Sequence, residues 1–128
     1  MARQAKLRNW IYTVIEKEKR LAGIISYIFT DDESLLKINE QYLNHHTYTD
    51  IITFDYSEAK TLSGDIFISI DRVKDNAAKY NVTFEEELLR VMVHGILHLC
   101  GYNDKTKVDS NKMRAKENTA ISLYRKLK

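Results

Sequence analysis

Apolar residues recur with helical spacing at the start of the chain. One stripe holds five of them, namely Leu7, Trp10, Ile11, Val14 and Leu21. Because residues three and four apart share one face of a helix, the stripe predicts an amphipathic helix over residues 3–20. The next run, Ile24 to Thr30 (IISYIFT), is rich in β-branched and aromatic residues and predicts a strand.

A second helix and two further strands are predicted before residue 71. Thr30 and Glu33 have the spacing of a helix-capping pair and precede an apolar run with helical spacing. The segment NHHTYT predicts a loop, and the short runs IITFDY and DIFISI predict two strands. Between these strands lies SEAKTLSG, whose Ser-Gly pair predicts the turn.

The remaining segments are helical in pattern. A short helix is predicted near residues 71–80, and another runs from Ser110 to the end of the chain. Thr83 and Glu86 repeat the capping spacing ahead of the most apolar stretch, from Leu88 to Cys100. Gly101 then stands where a left-handed residue would end the helix. The order of elements predicts an α+β or mixed α/β fold, in which helices cover a small mixed sheet.

Composition limits the class of protein. The chain has 128 residues and a mass of 15.0 kDa, which suits a single domain spanning residues 1–128. No apolar run approaches the ~18 residues that a membrane-spanning helix needs, and no signal-peptide pattern is present. A single cysteine, Cys100, excludes an internal disulfide and fits a reducing compartment. We therefore expect a cytoplasmic monomer with no membrane association.

The net charge of +2 conceals a segregation of charge along the chain. Residues 1–20 hold six basic and two acidic side chains, and residues 105–128 hold eight and two. Residues 21–104 hold six basic and fourteen acidic side chains. The basic ends could form a surface that attracts phosphate, or they could be the solvated faces of two ordinary helices.

Two histidines carry the most informative spacing. His94 and His98 are four residues apart, so both imidazoles lie on one helix face and could converge on one metal ion. The alternative is a pair of core histidines with hydrogen-bond partners. Gly101 allows the chain to reverse after the helix, and Asp104 then offers a carboxylate to the same ion. Two histidines and one carboxylate leave a fourth position open, as in catalytic zinc sites, while Cys100 is expected to pack as a small apolar side chain.

The sequence around these histidines resembles a known family. HGILHLCGYND is similar to the HGxLHLxGYDH signature of the YbeY family, metal-dependent endoribonucleases of bacterial ribosomal RNA maturation. Three more segments resemble family elements in the same order. They are NEQYLNHHTYTDIITF (39–54), Gly64-Asp65-Ile66, and Met113 with Glu117.

The resemblance carries expectations about fold and activity. It implies an α+β fold with a zincin-like metal-dependent hydrolase architecture, and one Zn²⁺ per chain held by His94, His98 and Asp104. It also implies hydrolysis of single-stranded RNA near the 3′ end of 16S ribosomal RNA, a role in ribosome quality control, and the small ribosomal subunit as partner.

Three features depart from the family pattern. Asp104 replaces the third histidine, Leu43 replaces a functional arginine, and the sheet could be one strand short because the chain starts with a helix. The residues that could supply the positive charge of the missing arginine are His45, His46, Arg72, Lys74, Arg90, Lys105 and Lys107.

The chemistry of the site leaves two functions open. Gly95 follows the first histidine where zinc peptidases of the HExxH type have a glutamate base, which argues against a peptidase. Asp50, Asp65 and Glu117 could serve as a base only if the fold brings them close. The carboxylate ligand also suits Fe(II) or Mn(II). The protein is therefore either a metal-dependent endoribonuclease or a ribosome-associated RNA-binding factor whose metal is structural.

Overall fold

A computed structural model describes residues 2–44 and 49–127, and their side chains from residue 4 onward. In chain order, the elements are α1 (Ala2–Lys17), β1 (Leu21–Thr30), α2 (Asp32–Leu43), β2 (Ile51–Asp55), β3 (Thr61–Ser69), α3 (Ile70–Tyr80), α4 (Phe84–Leu99) and α5 (Lys107–Lys126). The predicted α+β class is confirmed. No helix among the described residues has the length and apolar character to cross a membrane.

The sheet is mixed, and β3 is its central strand. Its order is β1-β3-β2, with β1 parallel and β2 antiparallel to β3. Alternate residues of β3, such as Ile66 and Ile68, are completely buried. A Cβ at Gly95 would lie 3.1 Å from methyl groups of Ile51 and Ile66, so this glycine lets α4 approach the sheet closely.

The core lies between the sheet and the layer of α1, α4 and α5. Trp10 of α1 is fully buried, and its indole Nε1 donates a hydrogen bond of 2.7 Å to the Ala120 carbonyl of α5. Its ring meets Tyr124 edge to face at 5.2 Å. These contacts join α1 to α5, and both helices also contact α4, which carries the two histidines.

Several predicted boundaries were wrong. The residue that caps α2 is Asp31, whose side chain accepts from the Ser34 N–H, because Thr30 still belongs to β1. The prediction of a turn at the Ser-Gly pair is also wrong, since Gly64 pairs with Asp55 inside the sheet. The connection between the two strands instead contains Ala59, which has a φ of 52°. Helix α1 ends at Lys17 rather than residue 20, just before Lys19 adopts a positive φ, and α5 begins three residues before Ser110.

Helix α4 begins and ends as the sequence predicts. The Thr83 side chain accepts from the Glu86 N–H at its start. At its end, Gly101 has a φ of 104°, its N–H donates to the His98 carbonyl, and the Tyr102 N–H donates to the Leu97 carbonyl. This pair of hydrogen bonds is a Schellman motif, which reverses the chain toward Asp104.

Replacing Gly101 with alanine should lower the free energy of unfolding by roughly 1–2 kcal/mol. No heavy atom lies within 4 Å of the added Cβ, so backbone strain alone would cause the loss. Chemical denaturation measures it, with Gly101→Asn as the control, since asparagine tolerates positive φ better and should lose less. Equal stability of Gly101→Ala and the parent protein would contradict this.

Candidate metal centre

The two histidines lie one turn apart near the end of α4. Their ring centroids are 4.5 Å apart and their planes meet at 83°. Both side chains are half-buried, and both are held at Nδ1 by an oxygen atom of another residue. The Nε2 atoms are therefore the ones left to bind an ion.

A buried carboxylate holds His94. Nδ1 of His94 lies 2.6 Å from Oε2 of Glu117, and the other carboxylate oxygen accepts a hydrogen bond of 3.1 Å from Nη1 of Arg90. Burial lowers the pKa of His94, but the hydrogen bond and charge of Glu117 outweigh it and raise that pKa above its usual value. The pKa of Glu117 shifts in the opposite direction. Burial raises this pKa, but His94 and Arg90 outweigh burial and bring it below its usual value. The pair thus favours an anionic Glu117 whose acceptor oxygen fixes the His94 ring.

A backbone carbonyl holds His98. Its Nδ1 lies 3.0 Å from the carbonyl oxygen of Tyr102, which the turn at Gly101 brings back toward the helix. The Tyr102 hydroxyl donates to Oε1 of Glu18 at 2.7 Å, and Lys116 Nζ donates to Oε2 of the same carboxylate at 2.9 Å. Burial, and then the neighbouring His94, lowers the pKa of His98, which favours the neutral ring that a metal requires.

Asp104 is the third member of a candidate metal-binding group, which consists of His94, His98 and Asp104. Its Oδ2 lies 3.5 Å from Nε2 of His94. One ligand atom from each of His94, His98 and Asp104 lies within 4.8 Å of the other two. Two imidazole nitrogens and one carboxylate oxygen are a donor set that zinc, iron and manganese accept. The residues present therefore fit a divalent metal.

Two members of the group, His94 and Asp104, line a cleft of about 220 Å³ between α3, α4 and α5, and His98 does not line it. Among the three carboxylates considered as bases, Asp50 and Glu117 line this cleft. Asp65 instead lines a separate pocket with Tyr42 and Tyr56. Burial raises the pKa of Asp50, although the positive charge of His94 opposes the change.

Few of the basic candidates are close to the site. Arg90 lines the cleft, whereas Arg72 is paired with Asp32 at 3.1 Å. Lys74, Lys105 and Lys107 are exposed and do not line the cleft, and His45 and His46 lie outside the described residues. Leu43 is 42% exposed at the end of α2.

Cys100 is buried next to the turn. Burial raises the pKa of its thiol to about 11, so it would not readily form the thiolate that binds metal. Among the described residues it is not part of the group that could hold a metal ion, which is His94, His98 and Asp104. These features agree with its expected role as a packed apolar side chain.

Sequence reasoning missed two features of this site. Glu117 was considered as a base and not as the partner of His94, and Arg114, which also lines the cleft, was not considered. A signal for Glu117 was present: it occupies an apolar position of α5, four residues after Met113 and three before Ala120. A carboxylate in such a position is buried only if it is paired.

Comparison with known proteins identifies the family. A family model described as Endoribonuclease YbeY matches residues 1–125. The chain belongs to the YbeY family. Curated relatives named Endoribonuclease YbeY include one from Flavobacterium johnsoniae, which is 55% identical over 116 residues, covering 91% of this chain and 84% of the relative. Another, from Cytophaga hutchinsonii, is 52% identical over 124 residues, covering 96% of this chain and 87% of the relative.

A solved structure supports the same fold. The solution structure of TM1509 from Thermotoga maritima matches with a TM-score of 0.64 and 29% identity, over 93% of this chain and 81% of that chain. Membership of the YbeY family confirms the resemblance drawn from HGILHLCGYND and the prediction of an endoribonuclease, a hydrolase of RNA.

Replacing Glu117 with glutamine should weaken metal affinity about 10–100-fold. The neutral amide keeps the shape but loses the anionic acceptor that fixes the His94 ring. Competition with a chromogenic chelator measures the affinity. Glu86→Gln is the matched control because it also removes a carboxylate paired with an arginine, here Arg125 on the exposed surface. Unchanged affinity in Glu117→Gln would show that His94 needs no such support.

Proposed function

We propose that this YbeY-family endoribonuclease is zinc-dependent, with the metal held by His94, His98 and Asp104. Its substrate would be single-stranded RNA at the 3′ end of 16S ribosomal RNA, and it would act in the maturation of that RNA and in ribosome quality control. The protein would work as a cytoplasmic monomer in contact with the small ribosomal subunit. The observation that carries the proposal is the convergence of three metal-binding atoms within 4.8 Å beside an open cleft.

Different groups of the protein have different roles in the proposed reaction. A divalent ion, when bound, supplies acidified water and polarises a phosphoryl oxygen. Glu117 and the Tyr102 carbonyl orient the two imidazoles, each by accepting from Nδ1. Both oxygens of Glu117 are occupied by His94 and Arg90, which leaves Asp50 as the carboxylate for proton transfer among the three considered as bases. Its raised pKa suits a group that exchanges protons closer to neutral pH.

We expect zinc-loaded protein to cut single-stranded RNA slowly and to leave duplex RNA nearly intact. Gel analysis of end-labelled RNA measures both rates. Chelator should abolish cleavage and added zinc should restore it, because the proposal requires a bound metal. The matched control is the double variant His94→Ala, His98→Ala, purified in the same way to reveal contaminating nucleases.

Three other outcomes would each contradict the proposal. Cleavage that resists chelator, or that persists in the double variant, would show that the observed activity does not depend on a metal held by His94 and His98. RNA binding and metal binding without cleavage would favour the RNA-binding factor with a structural metal. Chelator-sensitive cleavage of casein would indicate a peptidase.

A further inference from the structure

The cleft beside the metal-binding group is rich in carboxylates. Among the described residues, Asp50, Glu87, Asp104 and Glu117 line it, and the lysine or arginine side chains that do so are Arg90 and Arg114. RNA carries a negative charge at each phosphate, and like charges repel. An RNA strand that enters this cleft therefore needs a cation that is free to meet it.

Arg90 is not free for that purpose. Its guanidinium donates to Glu117 at 3.1 Å, and its side chain is only 16% exposed. Phosphate binding by Arg90 would compete with its support of Glu117 and, through it, of His94. Arg90 therefore supports Glu117 inside the site and is not available to bind RNA phosphate.

Arg114 is in a different situation. It lies on α5, its side chain is exposed, and within the described ranges it has no hydrogen bond or ion pair. It nevertheless lines the cleft, together with the buried carboxylates Glu87 and Glu117. The guanidinium is therefore close enough to act on a group bound there.

Neutral hydrogen-bonding groups also line the cleft. Ser110 lies one turn before Arg114 on α5, and Asn76 and Tyr80 line the cleft from α3. Hydroxyl and amide groups are the usual partners of RNA phosphate and sugar oxygens, alongside arginine. An arginine fork offers two parallel N–H donors to one phosphate, which fixes its position as well as its charge.

We propose that Arg114 holds a backbone phosphate of the RNA strand in the cleft beside His94, His98 and Asp104. This inference rests on the proposed function and adds the residue that positions its substrate. Arg114 is not a member of the group His94, His98 and Asp104, so we expect its replacement to affect RNA binding rather than metal binding.

The test compares Arg114→Gln with Arg125→Gln. Both replace an exposed arginine of α5, so both lower the net charge equally, but Arg125 pairs with Glu86 and does not line the cleft. Fluorescence anisotropy of a labelled single-stranded 12-mer RNA, with chelator present to prevent cleavage, gives the affinity at several salt concentrations. Initial rates with zinc-loaded protein give KM and kcat, and chelator competition gives the zinc affinity.

Arg114→Gln should weaken RNA binding about tenfold, as expected for a charged hydrogen bond, and raise KM more than it lowers kcat. The slope of log affinity against log salt should become shallower by about 0.7, the value for one phosphate contact on a single strand. Arg125→Gln should leave both quantities nearly unchanged, and Arg114→Lys should keep the salt slope. Zinc affinity should be unchanged in all three variants.

Equal effects of Arg114→Gln and Arg125→Gln on RNA binding would overturn the inference. Loss of zinc by Arg114→Gln would also overturn it, since Arg114 would then act on the metal-binding group. If the parent protein binds zinc but no single-stranded RNA, the proposed function fails and this inference fails with it.

Discussion

Alanine at either His94 or His98 should remove the bound metal from the purified protein. Each variant deletes one of the three proposed ligands, so the loss of affinity should exceed the 10–100-fold that removal of a supporting partner costs. It also leaves Glu117 or the Tyr102 carbonyl without its imidazole partner. Elemental analysis of protein purified in zinc should give close to one equivalent for the parent chain and almost none for either variant.

Cys100→Ala is the control for these two variants. It removes the nearest thiol, which would be the alternative ligand on the same helix end, and it should keep the full equivalent of metal. If His94→Ala and His98→Ala both retain full occupancy, the pair is reduced to two core histidines with hydrogen-bond partners. RNA cleavage should disappear together with the metal in both variants.

Local patterns were enough to predict the helix that carries the site. The apolar run from Leu88 to Cys100, the Thr83 cap and the glycine at position 101 all act over one or two turns of chain, and each appears as predicted. The convergence of His94 with His98 follows from helical spacing in the same way. Asp104 could be inferred because it follows His98 by only six positions and Gly101 reverses the chain between them.

Contacts between distant segments could not be predicted by the same reasoning. Glu117 meets His94 across 23 residues, and Tyr102 meets Glu18 across 84. Such pairs depend on how α5 and α1 pack against α4, which no short pattern encodes. The Ser-Gly turn failed for a related reason: pairing across the sheet holds Gly64 in β3, so tertiary hydrogen bonds override the local turn preference.

Asp104 differs from the histidines in its exposure and in its place on the chain. It is 45% exposed and lies between α4 and α5, with Oδ2 3.5 Å from Nε2 of His94. Replacing it with alanine should weaken zinc affinity sharply, since only two ligands would remain. Chelator competition measures the loss, and Asp109→Ala is the control because Asp109 is a half-buried aspartate in the first turn of α5 that lies outside the group His94, His98 and Asp104.

Replacement of Asp104 by histidine tests the same position with a ligand retained. The imidazole is larger, but its ring nitrogen could reach the ion from the same turn after a modest movement, so zinc should stay bound. The carboxylate cancels one positive charge of a divalent ion, and a neutral imidazole does not. The more positive site should acidify bound water more strongly and shift the pH–rate profile for RNA cleavage to lower pH.

The two variants together separate a ligand from a turn residue. A ligand at Asp104 requires that alanine lowers zinc affinity and that histidine preserves it, with the pH profile displaced only in the histidine variant. If Asp104→Ala binds zinc as tightly as the parent protein, Asp104 serves only the turn between α4 and α5. His94 and His98 would then be the whole protein contribution of this group, and the chemistry proposed for a three-ligand site would not apply.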